Sequence, residues 1–145
     1  MSGRIEVICG SMFSGKTEEL INRIKNSGKS YKVFKPETDT RNKKNKIESH
    51  NKLKIEATTI KNITDILKVK TKYEIIGVDE AQFFSNQIIE VCDLLANKGV
   101  RVIVAGLDMD YSGKPFGPMP FLMAVAEQVT KVHACLLYTS PSPRD

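Results

Sequence analysis

Covalent cross-links have little to offer this sequence. Its 145 residues include only 3 cysteines, Cys9, Cys92 and Cys135, an odd number at wide spacing. That excludes a disulfide framework and leaves Cys9 and Cys92, both in apolar segments, as reduced core residues. No apolar run approaches the roughly 18 residues needed to cross a bilayer, so no membrane partner is expected. The opening residues, Met1 to Gly10, lack the charged-then-apolar pattern of a secretion signal. A cytoplasmic location is therefore the expectation. Internal repeats are missing as well. What remains is an ordinary composition, 41% hydrophobic and 27% charged, too apolar for disorder and too charged for a membrane protein. The length suits one domain.

Acidic charge is scarce in one part of the chain. Between Arg23 and Lys72 there are 15 basic and 5 acidic side chains, whereas the remainder holds 7 and 12. A basic excess suits anionic partners such as phosphates. Nucleic acid is not the expected partner, because lysine dominates the excess and aromatics are not interleaved with it.

Short apolar strands alternate with helices. Arg4 to Cys9 reads as a buried strand and Lys16 to Ile24 as a helix stopped by Gly28. Tyr31 to Lys35 is a second strand, ended by Pro36. Glu37 to Asn51 has no period and reads as a long polar loop, Lys54 to Thr59 as a short strand, and Asn62 as the cap of a short helix through Val69. Tyr73 to Asp79 is a strand ending in a carboxylate; Ser85 opens a helix that Asn97 and Gly99 close; Val100 to Gly106 is another buried strand. A shaped loop over Leu107 to Pro120, a helix over Phe121 to Val125 and a strand near Gln128 to His133 follow. This alternation predicts an α/β fold, a parallel sheet flanked by helices, with ligands at the carboxyl ends of the strands.

The turn after the first strand, Gly10-Ser-Met-Phe-Ser-Gly15-Lys16-Thr17, fits G-x-x-x-x-G-K-S/T in full, with the required strand before it and helix after it. Glycines let the backbone turn its N–H groups inward, where with the helix N-terminus they bind phosphate oxygens. Lys16 brings a positive charge to the β and γ phosphates, and the Thr17 hydroxyl is suited to Mg²⁺. Asp79 and Glu80 close a strand, where Asp79 would hold Mg²⁺ through water and Glu80 would accept a proton from an attacking hydroxyl or water. A solvated turn residue is the plainer alternative for Glu80. Residues 10 to 17 with Asp79, Glu80, Ala81 and Gln82 form the candidate set for ATP and Mg²⁺. The acceptor of the phosphoryl group is left open by these residues.

Four local patterns go further: Gly10-Ser-Met-Phe-Ser-Gly-Lys-Thr-Glu-Glu-Leu20; Asp39-Thr-Arg41 with Ser49-His50; Asp79-Glu-Ala-Gln-Phe-Phe84; and Gly106-Leu-Asp-Met-Asp-Tyr-Ser-Gly-Lys-Pro-Phe-Gly117. In this order and together, they resemble the thymidine kinases of the small, P-loop type found in bacteria and animal cytosol. The resemblance implies deoxythymidine as acceptor and Glu80 as the base for its 5′-hydroxyl. Arg41, with Asp39, would lie near the phosphates and the acceptor, Arg41 offsetting charge in the transition state or else standing solvated in the loop. Met12, Phe83, Leu107, Tyr111 and Phe116 match positions lining the thymine pocket; ordinary core packing is the alternative reading, above all for Leu107. A homotetramer is also implied for the complete protein.

Some positions depart from the family pattern. Ser11 stands where proline is usual, Asn42 where an aromatic is common, and Asn51-Lys52 where Asp-Gly is common. The family continues beyond this region into a zinc-held lasso with two cysteine pairs. Cys135 can be its first ligand, but no further cysteine follows, and one thiolate does not make a structural zinc site. Residues 136–145 break from what precedes and hold two prolines. The expectation is a kinase core over 1–135 and an unrelated tail over 136–145, the zinc/lasso subdomain missing. Two other classes fit the phosphate site alone: a P-loop ATPase, and a nucleotide- or nucleic-acid-binding module that uses the basic half.

Overall fold

The computed structural model describes residues 3–11, 14–37, 46–49, 53–69 and 71–132. Six strands form one sheet in the order β5-β2-β6-β7-β1-β8, namely Thr58–Ile60, Tyr31–Pro36, Ile75–Val78, Arg101–Leu107, Arg4–Gly10 and Gln128–Val132. Every pairing in it is parallel. All carboxyl ends therefore lie along one edge, the edge where α/β sheets bind ligands.

Alternation along the strands divides the core in two. Ile5, Val7 and Cys9 of β1, with Val102 and Val104 of β7, face α2 (Gln87–Asn97) and α3 (Met119–Val125). Ile8, Ile103 and Ala105 face α1 (Lys16–Ser27) through Leu20, Ile21 and Ile24. Both faces are covered, which is why these strands read as nearly continuous apolar runs. Cys9 and Cys92 are free and buried, as expected. Burial pushes the Cys92 thiol, beside Asp93, up to about 12 and leaves it an inert core residue.

Helices α1 and α2 and strands β1, β2, β6 and β7 of the main sheet lie where their apolar periods place them. The chain between β2 and β6 does not. Residues 38–45 and 50–52 lie outside the described residues. The end of the expected loop forms β3 (Lys46–Glu48), which pairs antiparallel with β4 (Lys54–Glu56). Each offers one buried isoleucine, Ile47 and Ile55, to the α1-side core, too few for a period to show. The expected strand over Lys54 to Thr59 is split, β4 joining the hairpin and β5 the main sheet. After Asn62 the chain makes a 3₁₀ helix, Ile63–Lys68, opened by an Asn62 N–H donated to Asp65 at 3.3 Å.

One buried charge ties α1 to the sheet. Glu6 of β1 is fully buried on the α1 side. It accepts from Arg101 Nε of β7 at 2.5 Å, from Arg4 Nε at 2.8 Å and from Arg23 Nη1 of α1 at 3.1 Å. Arg23 also donates to Glu19 at 2.6 Å and to Thr130 of β8 at 2.9 Å. Burial pushes the Glu6 carboxyl up, but the hydrogen bonds and charges of Arg101 and Arg4 outweigh it, so the carboxyl rests below its usual range. With the folded-state value depressed, this stabilisation is present above the ordinary glutamate range and is lost as pH falls through the folded value. Glu6→Ala is expected to cost about 3 kcal/mol at neutral pH by leaving arginines unpaired. Thermal unfolding across a pH series checks this: the deficit against the parent should shrink on acidification, and an equal deficit at all pH values would contradict it.

Candidate active site

The phosphate-loop turn is built by backbone that only glycine accepts. Gly10 ends β1 with φ 152°, and a β-carbon there would lie 2.2 Å from the carbonyl oxygen of Val132 in β8. Gly15, with φ 91° and ψ 18°, opens α1. The next strand over thus presses on the loop from one side and α1 begins on the other. Met12 and Phe13 lie outside the described residues. Ser11 is exposed and Ser14 buried. Lys16 Nζ folds back into this turn, donating to the Ser11 carbonyl at 2.6 Å and lying 3.4 Å from Ser14 Oγ.

Lys16 is 9% exposed, and three carboxylates act on it. Burial lowers its pKa; Glu80, Asp79 and Asp108, in that order, oppose the drop. The Thr17 hydroxyl donates to Asp79 Oδ2 at 3.3 Å. This contact is not made between neighbouring strands, since β7 stands between β1 and β6. Val78 is level with Val104, and Val104 with Val7, so Asp79 leaves β6 below the height at which β1 turns at Gly10. Asp79 is buried, and burial followed by the charge of Glu80 pushes its carboxyl up to about 7, against hydrogen bonds from the Glu80 backbone and Thr17. A buried carboxylate beside a second one, with a hydroxyl on it and an ammonium near, is a donor set short of positive charge. Those residues fit Mg²⁺.

Glu80 is the only non-glycine residue with positive φ among the described residues, at φ 53° and ψ 42°. That conformation costs about 1 kcal/mol. The turn aims a carboxylate out of the sheet edge just after a buried one. Ala81, expected among the nucleotide contacts, is fully buried in the core on the α2 side. Gln82, expected in the same role, is also buried, and both ends of its amide are engaged within the protein. It donates to Glu80 Oε2 at 2.9 Å and accepts from Leu107 N at 3.0 Å.

Of the acceptor-pocket residues, Phe83 and Phe116 come together edge to face with ring centroids 5.6 Å apart. Phe83 is exposed and Phe116 half-buried, so both present ring surface. Leu107, at the end of β7, is half-buried and lies outside both core clusters. Tyr111 is fully exposed and is not brought to the phenylalanine pair. Asp39, Arg41, His50 and Cys135 lie outside the described residues. Among the described residues no three His, Cys, Asp or Glu side chains gather as a metal cluster, and no helix is long and apolar enough to cross a membrane.

Two aspartates of the 107–117 loop carry structural work that the sequence reading left unassigned. Asp110 Oδ1 accepts from Ser112 N at 2.9 Å, Ser112 Oγ at 2.6 Å and Lys114 N at 3.0 Å. The Ser112 hydroxyl above all holds its carboxyl low. Asp-x-Ser before a glycine is a legible turn signal. Asp108 pairs with Lys131 of β8 at 3.1 Å, a contact no local pattern announces.

A parallel α/β sheet, a glycine-bounded phosphate turn and a paired-acid strand end define a P-loop nucleotide-binding protein. The comparisons narrow this. The family model described as "Thymidine kinase" matches residues 3–140. A thymidine kinase of Bacteroides fragilis is 54% identical over 135 residues, covering 91% of this chain and 68% of that one. One of Porphyromonas gingivalis is 50% identical over 135 residues, covering 91% and 66%. One of Rhodothermus sp. is 48% identical over 144 residues, covering 97% and 68%. The chain belongs to the thymidine kinase family. It spans about two thirds of the length of these relatives. Kinase function is thereby favoured over the ATPase and binding-module alternatives.

Two substitutions separate fit from chemistry here. Gly10→Ala should lose nucleotide binding, measured by calorimetry, because its methyl group meets a carbonyl oxygen rather than a movable side chain. Retained affinity would contradict this. Glu80→Gly relieves both the left-handed backbone and the repulsion on Asp79, so its melting temperature should equal or exceed the parent's. A clear drop would show that the hydrogen bond lost by the buried Gln82 amide outweighs the relief of strain and repulsion.

Proposed function

We propose that this thymidine kinase moves the γ-phosphoryl group of ATP to the 5′-hydroxyl of deoxythymidine in one in-line step, with Glu80 as general base. The observation that carries the reading is the contact of the Thr17 hydroxyl with Asp79 at 3.3 Å, which brings the paired acids Asp79 and Glu80 to the phosphate turn beside Lys16. The backbone at Gly10, Ser11 and Ser14 to Thr17 cradles the phosphates. Lys16 exchanges its hold on the Ser11 carbonyl for a phosphate oxygen. Thr17 and, through water, Asp79 are the residues that would hold Mg²⁺, which when bound neutralises charge on the β and γ phosphates.

Phe83 and Phe116 offer an aromatic wall for the flat base. Glu80 takes the proton of the 5′-hydroxyl as that oxygen bonds to the γ phosphorus. The bond from phosphorus to the β–γ bridging oxygen breaks, and ADP leaves. Arg41 and Asp39 belong to the acceptor side of this reading through the resemblance of their motif alone, and so do Met12, Leu107 and Tyr111. For the whole protein the same resemblance supports a homotetramer and a zinc-held segment beyond Cys135.

The test is thymidine-dependent ADP release by the full-length gene product. Release should need thymidine in the parent. Glu80→Gln should lose about 10²–10⁴-fold in turnover while ATP binding persists. Lys16→Ala should weaken ATP binding and abolish turnover. ADP release at an unchanged rate without thymidine would indicate a hydrolase, and transfer by Glu80→Gln at the parental rate would remove Glu80 from the role of base.

A further inference from the structure

A buried primary amide has to satisfy a carbonyl and an NH₂ group at once, and at Gln82 this requirement determines which way the side chain points. Leu107 presents a backbone N–H at 3.0 Å, which can only donate. Glu80 presents a carboxylate oxygen at 2.9 Å, which when ionised can only accept. One orientation serves both: oxygen toward Leu107, nitrogen toward Glu80. The opposite orientation would set donor against donor and acceptor against acceptor.

The slot that receives this amide is shaped by the loop it binds. A β-carbon at Gly106 would lie 2.9 Å from Gln82 Oε1 and 2.9 Å from Met119 Sδ. One at Gly117 would lie 2.5 Å from the Gln82 carbonyl oxygen. The glycines flanking the 107–117 loop thus make room for Gln82 at both of its ends. Inside that loop, Phe116 N is bonded to the Asp108 carbonyl at 3.1 Å, and Phe116 carries the ring that meets Phe83. A continuous path runs from the Glu80 carboxylate through the Gln82 amide to Leu107 and on to the aromatic pair. Glu80 itself stands on a left-handed turn, half-exposed, and its carboxylate accepts from Gln82.

We propose that Gln82 is a positioning residue for phosphoryl transfer: its amide holds the Glu80 carboxylate toward the acceptor hydroxyl and ties that orientation to the seating of the 107–117 loop at Leu107. The proposal rests on Glu80 being the base. Gln82 touches neither phosphate nor acceptor in this role. Its effect falls on the rate of the step and not on nucleotide affinity, since a small displacement of a reacting group is enough to cost about 10²-fold.

The test is steady-state kinetics on the full-length gene product with Gln82→Met, Glu80→Gln and the double variant. Methionine keeps the volume and removes both hydrogen bonds. For Gln82→Met, kcat should fall at least about tenfold with KM for ATP within about threefold. In the double variant kcat should lie within about twofold of Glu80→Gln alone, because the two residues act as one unit. Losses that multiply would mark Gln82 as independent of Glu80 and overturn the proposal. Gln82→Asn retains a buried amide one methylene too short to span Glu80 and Leu107, and should show the same selective loss of kcat. Parental kcat in either variant, with Glu80→Gln inactive, overturns the proposal and leaves the base assignment standing. Parental activity in Glu80→Gln overturns both. Failure of both Gln82 variants to fold, read by circular dichroism, would make the residue structural and also overturn it.

Discussion

Everything at the sheet edge depends on one constraint: the Lys16 ammonium is withdrawn from water and folded back onto the Ser11 carbonyl, while the adjacent Thr17 hydroxyl holds the buried carboxylate of Asp79. Burial disfavours the charges of Lys16 and Asp79 alike. Asp79 shows the tension most plainly, pushed up to about 7 by burial and by its neighbour. Such an arrangement is poor for stability and good for a reaction in which negative phosphates and a divalent cation must sit together. The geometry around Lys16 is correspondingly stiff. β8 backs the turn through the Val132 carbonyl, and the Glu6 cluster locks α1 against β1, β7 and β8 through Arg23.

The site is also economical in where it places flexibility of role. The phosphate turn, β6 and β7 belong to the rigid sheet. The acceptor side hangs from it by a few identifiable bonds: Gln82 to Leu107, Asp108 to Lys131, and the Asp110 turn within the loop. In the proposed reaction the scaffold carries the chemistry and the loops the base recognition, the usual division in α/β proteins.

Much of this was legible in the residues, for definite reasons. β1, β6 and β7 are buried on both faces, so their apolar runs are unmistakable, and Gly10, Gly15 and Gly28 punctuate α1 at both ends. The paired acids announce themselves by following such a run. The hairpin β3–β4 stayed hidden because a three-residue strand with one buried isoleucine has no period. For Ala81 and Gln82 a motif gives neighbours without directions, and the 3₁₀ turn after the left-handed Glu80 sends both inward. Tyr111, which the resemblance alone puts in the acceptor pocket, stands fully exposed on the Asp110 turn. Glu6 escaped notice because a charge within an apolar strand looks like an edge position until Arg4, Arg23 and Arg101 are brought around it by the fold.

The central claim is spatial, that phosphates resting on the turn at residues 10–17 place an acceptor hydroxyl at Glu80. A crystal structure of the full-length protein with a bisubstrate analogue, adenosine and thymidine joined through a phosphate chain, tests it most directly. The account predicts phosphates on the turn's backbone amides and on Lys16, with the thymidine 5′ oxygen within hydrogen-bond reach of the Glu80 carboxylate. A complex with the phosphates seated but the 5′ oxygen directed away from Glu80, or with the analogue bound elsewhere, would contradict it.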